Sequence, residues 1–279
     1  MKHFKRYAFG VLWVALGSLL VLNILAYTHA RSMMTFAGEG KRTPPPDQLS
    51  FPQKFGVLLT GVRLPHPRNE RTPEDLSLAF ERRVIQSTED VSLEVWEIHH
   101  EEPRAVVIMF HGYGVSKSTM LSAARGFHRM RCTTFLVDFR GAGGSSGETT
   151  TMGFHEADDV AAVYNYAENA YPEEPLILYG QSMGAAAALR AVAVHNVHPD
   201  AIILEAVYDR LLTTVQNRFD MVGFPRFPAS HLLLFWGGVQ TGIDAFDLNP
   251  VEYASSVTCP ALIMHGGEDR RALPSQAES

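Results

Sequence analysis

A serine between two glycines is the residue whose surroundings in this sequence best suit covalent chemistry. Ser182 lies within Gly180-Gln181-Ser182-Met183-Gly184, directly after the apolar residues 176–179 and before the alanine-rich stretch Met183–Val194. Glycines flanking the serine allow the close backbone contacts of a sharp strand-to-helix turn, which exposes the hydroxyl. The backbone N–H of Met183, at a helix N-terminus, would then face a developing oxyanion. The pattern predicts that Ser182 attacks a carbonyl group.

The elements expected around this turn are alternating strands and helices. Short apolar runs bounded by glycine and proline predict strands, and apolar residues at helical spacing predict helices between them. The predicted strands cover residues 82–86, 92–98, 105–110, 134–138, 176–179, 201–205 and 261–264. The last five are continuous apolar runs, as expected of strands buried on both faces. The alternation predicts an α/β fold with a mostly parallel, doubly wound sheet that binds ligands at the carboxyl ends of its strands.

Two further segments at predicted strand ends are rich in glycine and polar residues. Residues 111–114 (His-Gly-Tyr-Gly) follow one strand, and residues 138–141 (Asp-Phe-Arg-Gly) follow the next. Together with the serine turn, they resemble the α/β-hydrolase superfamily from residue 82 to the end of the sequence. The resemblance implies the α/β-hydrolase fold, and it assigns the Tyr113 backbone N–H to an oxyanion hole shared with Met183. We expect His111 to stabilise its turn, and Asp138 and Arg140 to brace the loop that follows them.

The resemblance also implies an acid after a later strand. Residues 265–269 (His-Gly-Gly-Glu-Asp) follow the last predicted strand, and in the superfamily an acid here orients the catalytic histidine. Asp269 is therefore the expected acid, with Glu205 as the alternative. No histidine follows Asp269 in the sequence. We therefore expect a C-terminally truncated chain that is inactive as it stands, with a pseudoenzyme or recruitment of a different histidine as the alternatives.

Hydrolysis of an ester-like bond is the predicted activity, through an acyl-enzyme on Ser182. The substrate would be a carboxylic ester, a thioester or a lipid. The sequence has no metal-ligand spacing and no nucleotide-binding fingerprint, so we expect no cofactor and no metal. A formal net charge of -6 argues against nucleic-acid binding. The alternatives are a serine peptidase of the prolyl-oligopeptidase type and a non-catalytic binding protein with this fold.

The N-terminal segment predicts a membrane anchor. Residues 7–27 carry no charge and follow Lys2, Lys5 and Arg6, and a helix of that length spans about 30 Å, the thickness of a bilayer core. Because basic residues before a membrane helix favour the cytoplasm, we expect the hydrolase domain on the non-cytoplasmic side, periplasmic or extracellular. A cleaved signal peptide and secretion are the alternative.

Composition predicts the remaining organisation. Residues 1–30 are assigned to the anchor, residues 31–54 to an extended proline-rich linker, and residues 55–279 to the hydrolase domain. Residues 207–256 are too long for a simple loop and contain the apolar residues 231–236, so they predict a small helical lid; a helix packed on the core is the alternative. In the superfamily's strand order three strands separate Cys132 from Cys259, so we expect no disulfide between them.

Overall fold

The apolar runs form the strands of one mixed sheet. The computed structural model describes residues 2–45, 48–269 and 271–277. Within them the strands are β1 (Glu81–Thr88), β2 (Val91–Ile98), β3 (Ala105–Phe110), β4 (Cys132–Val137), β5 (Leu176–Gln181), β6 (Ala201–Glu205) and β7 (Ala261–Met264). Their order is β1-β2-β4-β3-β5-β6-β7; β2 is antiparallel to both neighbours, and the other pairs are parallel. The predicted α/β-hydrolase fold is confirmed, and β3, β6 and β7 have the predicted bounds.

Helices cover both faces of the central strands. They are α1 (Lys2–Met34), α2 (Phe51–Thr60), α3 (Leu121–Arg129), α4 (Glu156–Ala170), α5 (Met183–Val194), α6 (Leu211–Val222), α7 (Ala229–Thr241), α8 (Pro250–Tyr253) and α9 (Pro274–Ala277). Alternate side chains of β3 enter opposite cores: Ile108 packs with residues of α4 and α5, and Met109 packs with residues of α3. Burial on both faces explains why β3 is a continuous apolar run.

The sequence predicts that β7 is buried on both faces, and this prediction is wrong. All four of its residues are exposed, with Leu262 at 54% and Ile263 at 49%. The reason is position, because β7 pairs with β6 on one side and is the last strand of the sheet in the described residues. An apolar run therefore identified the strand but not its environment.

The N-terminal helix continues beyond the predicted anchor. In the described chain, Phe9–Met34 is long and apolar enough to cross a membrane, judged by length and composition, and 6% of its most apolar window is buried. Its C-terminal part packs against α7, where Trp236 Nε1 donates a hydrogen bond to Asn23 Oδ1 at 3.0 Å. The apolar helix is thus joined to the segment predicted as a lid.

The prediction of an extended proline-rich linker over residues 31–54 is wrong at both ends, and the segment between is hydrogen-bonded to other parts of the chain. Residues 31–34 belong to α1, and α2 begins at Phe51. Between them, Phe36 is buried and its N–H donates to the Glu148 carbonyl at 2.7 Å, while the Thr43 N–H donates to the Arg63 carbonyl at 2.9 Å. Pro46 of the proline run and its neighbour Asp47 lie outside the described residues, as do Arg270 and the last two residues of the predicted domain.

Residues 207–256 form two longer helices, α6 and α7, followed by the short α8. Helices α6 and α7 contact each other, and α8 packs on α5. Cys132 and Cys259 are both free thiols. The strand order places β3, β5 and β6 between their strands, as predicted.

Candidate active site

Ser182 occupies a strained turn between β5 and α5. Its φ of 51° and ψ of −108° lie outside the regions that residues with side chains usually adopt. The Ser182 N–H donates to the Glu205 carbonyl at 2.8 Å, which fixes the turn to β6. The serine is only partly buried. The strain holds a hydroxyl-bearing residue at the carboxyl end of the sheet.

Two glycines make this turn possible. A Cβ at Gly180 would lie 2.5 Å from the backbone nitrogen of Ala185, and a Cβ at Gly184 would lie 2.3 Å from the Phe110 carbonyl oxygen. Both contacts are with backbone, which cannot rotate away as a side chain can. Gly184 therefore lets the first turn of α5 rest on the end of β3.

Backbone donors lie beside the serine. Met183 begins α5, and neither its N–H nor that of Tyr113 donates a hydrogen bond to any described residue. The segment containing Tyr113 reaches the elbow, since a Cβ at Gly112 would lie 3.7 Å from the Ser182 Cβ. The structure thus brings Ser182, Met183 and the Tyr113 segment together, as the sequence predicts.

The Tyr113 side chain connects this segment to the N-terminal helix. Its hydroxyl donates to the Met33 carbonyl in the last turn of α1, and burial raises the pKa of Tyr113 to about 12. The phenol therefore remains a neutral donor at physiological pH. Sequence reasoning, which assigned only the backbone of Tyr113, did not reveal this contact.

His111 connects two loops instead of contacting Ser182. Its Nδ1 lies 2.8 Å from the Gly112 carbonyl oxygen, and the Phe139 N–H donates to its Nε2 at 3.2 Å. Because Nε2 accepts, Nδ1 carries the proton and donates to Gly112. Burial lowers the pKa of His111 and so favours this neutral form. The contacts agree with the predicted role of stabilising the turn.

Asp138 braces the loop that follows it, together with a lysine that sequence reasoning missed. Its carboxylate accepts from the Lys117 N–H at 2.8 Å, from the Gly144 N–H at 3.0 Å and from Lys117 Nζ. Burial raises the pKa of Asp138, but the charges of Lys117 and His111 and the hydrogen bonds from Lys117 together outweigh it, so the pKa is lowered. Lys117 Nζ also donates to Glu94 at 2.7 Å. Arg140 pairs instead with Asp159 at 2.7 Å, which ties the loop to α4.

A buried glutamate supports the loop in front of α5. The Glu156 carboxylate accepts from the backbone of Thr151 at 3.0 Å, from its hydroxyl at 2.7 Å and from the Gly153 N–H at 2.8 Å. A Cβ at Gly153 would lie 3.3 Å from the Met183 carbonyl oxygen. Threonines a few residues before a glutamate at a helix start are a capping-like pattern that could have revealed this support.

The two candidate acids lie in different environments. Glu205 is next to the serine turn, and its carboxylate accepts from Gln181 Nε2 at 3.0 Å and from the Tyr179 hydroxyl. Asp269 lies in the turn after β7, where its Oδ1 accepts the N–H groups of Arg271 at 2.7 Å and Ala272 at 3.2 Å. Ala272 in turn packs with Ala186 of α5 and with Tyr208. Within the described residues, no histidine is hydrogen-bonded to Ser182 or to Asp269.

The histidine nearest to Asp269 in the sequence is bound elsewhere. His265 Nε2 lies 2.8 Å from the Ala272 carbonyl oxygen, and its Nδ1 is buried without a hydrogen-bond partner in the described residues. The contact between His265 and Ala272 holds the turn around Asp269. The expected pairing of Asp269 with a base therefore stays a prediction.

Comparisons with known proteins agree with the fold and point to hydrolases. Residues 101–214 match a hydrolase family described as serine aminopeptidase, S33. The chain is 24% identical to protein bem46 of Schizosaccharomyces pombe over 73% of this chain and 67% of that protein. It is 24% identical to the lysophosphatidylserine lipase ABHD12 of Danio rerio over 79% of this chain and 63% of that protein. The chain therefore spans about two thirds of these relatives.

Solved structures show the same fold. The Pyrococcus furiosus esterase Pf2001 superposes with a TM-score of 0.64 and 24% identity, covering 77% of this chain and 80% of that one. At this level of identity the likeness concerns the backbone arrangement. It supports the α/β-hydrolase fold described above.

Proposed function

The chain belongs to the α/β-hydrolase superfamily, and we propose that it cleaves an ester-like bond through an acyl-enzyme on Ser182. The observation that carries the proposal is the strained elbow, which holds a partly buried serine beside two backbone N–H groups that have no acceptor in the described residues. Strain of this kind persists only where the surrounding structure enforces it, and it is concentrated at functional sites.

In the proposed reaction, Ser182 Oγ attacks the carbonyl carbon and its proton passes to a base. The N–H groups of Met183 and Tyr113 stabilise the oxyanion of the tetrahedral intermediate. Collapse of the intermediate breaks the ester bond, and the departing alkoxide takes up a proton. Water then cleaves the acyl-serine ester, which releases the acid and restores the hydroxyl. Asp269 is the proposed acid for orienting the base, and Glu205 is the alternative.

We further propose that the substrate is an amphiphilic or lipid ester presented by a membrane. The lid helix α7 packs on α1 at the end of its uncharged segment, through Trp236 with Asn23 and through the edge-on rings of Trp236 and Tyr27. If α1 crosses a bilayer, α7 must lie at its surface. There Phe235 and Val239, exposed at 51% and 55%, would meet lipid rather than water. The name of ABHD12, a lipid-cleaving relative, supports the same substrate class.

Covalent labelling tests the nucleophile. The parent for this test is the full-length protein, with any residues that its natural reading frame adds after Ser279. It is treated in neutral detergent with a fluorophosphonate probe, and the modified peptide is identified by mass spectrometry. We expect label on Ser182, none in Ser182→Ala, and unchanged labelling in the matched control Ser255→Ala, whose serine is exposed on a different turn. Ester hydrolysis should fall by several orders of magnitude in Ser182→Ala.

Two outcomes would contradict the proposal. Near-normal ester turnover by a folded Ser182→Ala protein would exclude Ser182 as nucleophile. Absence of both label and turnover in the parent protein would favour the non-catalytic binding protein.

A peptidase is the second candidate, because the matched family is described as serine aminopeptidase. Both activities would use the same serine. A matched pair of substrates with one acyl group, an ester and an anilide of alanine, separates them. Cleavage of the anilide with kcat/KM equal to or above that of the ester would favour the peptidase.

A further inference from the structure

Arg218 of α6 lies beside the segment that contains Tyr113 and has no carboxylate partner in the part of the chain that the structure describes. Its guanidinium lies 5.7 Å from the centre of the Tyr113 ring, and its Nε is buried without a hydrogen bond. Within the described residues Arg218 forms no salt bridge, and the groups whose charges act on it are Tyr113, Tyr208 and two more arginines. A cation–π contact offsets only part of the cost of removing such a charge from water.

The two neighbouring arginines increase the positive potential. Arg42 Nη1 donates to the Gly114 carbonyl at 3.0 Å, next to Tyr113 in the chain. Arg271 lies in the turn held by Asp269. Burial lowers the pKa of Arg218, and the positive charges of Arg271 and Arg42 lower it further. No described carboxylate forms an ion pair with any of the three arginines.

The cluster lies next to the serine. Tyr113, which Arg218 faces, follows Gly112, the residue in contact with the elbow at Ser182. A ligand anion held by Arg218 would therefore be a short distance from a carbonyl group bound at the oxyanion donors. Planar guanidinium groups bind carboxylate and phosphate oxygens in pairs, and a buried cation without a carboxylate partner in the described residues gains most from such a ligand.

We propose that Arg218, assisted by Arg42 and Arg271, forms a subsite for an anionic group of the substrate, a phosphate or carboxylate with at least two free oxygens. The inference rests on the proposed ester hydrolysis and names its substrate class: an amphiphilic ester with a negatively charged head group. Helix α6 supplies the specificity, since its Arg218 lies against the ring of Tyr113.

Equilibrium binding tests the subsite without requiring turnover. Ser182→Ala protein in dodecyl maltoside micelles is titrated calorimetrically with dodecyl phosphate, with dodecanoate, and with the uncharged 1-dodecanoylglycerol. We expect both anions to bind, and Arg218→Gln to raise their Kd at least tenfold, which is about 1.4 kcal/mol. The Kd of the uncharged ligand should change less than threefold. Arg129→Gln, at an exposed arginine on α3, is the matched control and should bind all three ligands as the parent does.

A second variant guards against loss of folding. Arg42 is exposed, so Arg42→Gln should melt at the parent's temperature and still raise the Kd of the anions severalfold. Unchanged anion affinity in a folded Arg218→Gln, or in Arg42→Gln if the former does not fold, would overturn the subsite. A difference between dodecyl phosphate and dodecanoate would identify the preferred head group.

The outcomes separate this inference from the proposed function. Anion binding that depends on Arg218 in a protein without esterase activity would retain the subsite and reject the function. Esterase activity with equal kcat/KM for anionic and uncharged esters in both parent and Arg218→Gln would retain the function and reject the subsite.

Discussion

Replacing Gly184 by alanine should lower the stability of the fold and the reactivity of Ser182, because the elbow has no room for a side chain at this position. An alanine Cβ there would lie 2.3 Å from the Phe110 carbonyl oxygen and 2.8 Å from that of His111. Relief requires α5 and the end of β3 to separate by roughly 1 Å, since non-bonded carbon and oxygen atoms pack at well over 3 Å. Neither partner is a side chain that could rotate away.

Two opposing effects determine how much stability Gly184→Ala loses. Inserting a methyl group into a filled site costs about 1–3 kcal/mol, and a clash between backbone segments belongs at the upper end. Alanine gains about 1 kcal/mol of helix propensity over glycine. We expect a net loss of about 2 kcal/mol, which lowers the melting temperature by about 4–8 °C in a domain of this size.

The matched control is Gly126→Ala on α3, where an added Cβ meets nothing within 4 Å. Only the propensity gain remains there, so the melting temperature should rise by about 2–4 °C. Intrinsic tryptophan fluorescence during heating measures both variants, and the rate of fluorophosphonate labelling of Ser182 measures the elbow. A shift of the serine by about 1 Å should slow labelling roughly 100-fold in Gly184→Ala, and Gly126→Ala should label as the parent does.

Equal melting temperatures and labelling rates for the parent and Gly184→Ala would refute the steric argument. A loss of stability in Gly126→Ala equal to that in Gly184→Ala would attribute the effect to helical glycines in general.

Three further predictions concern strain, charge and membrane contact. Ser182→Gly should melt at a higher temperature than Ser182→Ala, because glycine adopts a φ of 51° without strain worth about 1–3 kcal/mol; equal melting temperatures would contradict it. Lys117→Met should lower the free energy of unfolding by about 3–5 kcal/mol at pH 7, because it leaves the Asp138 carboxylate buried without its ion-pair partner. In the parent, the lowered pKa of Asp138 gives stability that is present above its unfolded pKa of about 3.9 and lost as the pH falls further. In the variant, burial raises that pKa, so its deficit in melting temperature should shrink from pH 7 to pH 4. A fluorophore on Val239→Cys should be quenched by spin-labelled lipids in vesicles, while one on Val194→Cys, exposed at the end of α5, should not; equal quenching would contradict the surface position of α7.

The sequence by itself determined the sheet and the serine turn, because their causes are local. A buried parallel strand must be a short apolar run, and β3 and β6 begin and end where those runs do. The elbow needs glycine at two fixed positions around Ser182, and both are visible in five consecutive residues. The oxyanion role of the Tyr113 backbone remains a prediction, drawn from the resemblance of residues 111–114 to the α/β-hydrolase superfamily.

Only the tertiary structure decided which distant residues support or surround that turn. Asp138 and Lys117 are far enough apart in sequence that no periodicity relates them, yet they share one buried ion pair. Arg218 on α6 faces Tyr113 after β3, and Trp236 reaches Asn23 across most of the chain. The exposure of β7 likewise depends on its place at the end of the described sheet. Contacts of this kind depend on how whole helices and strands pack, so the residues adjacent in the sequence do not predict them.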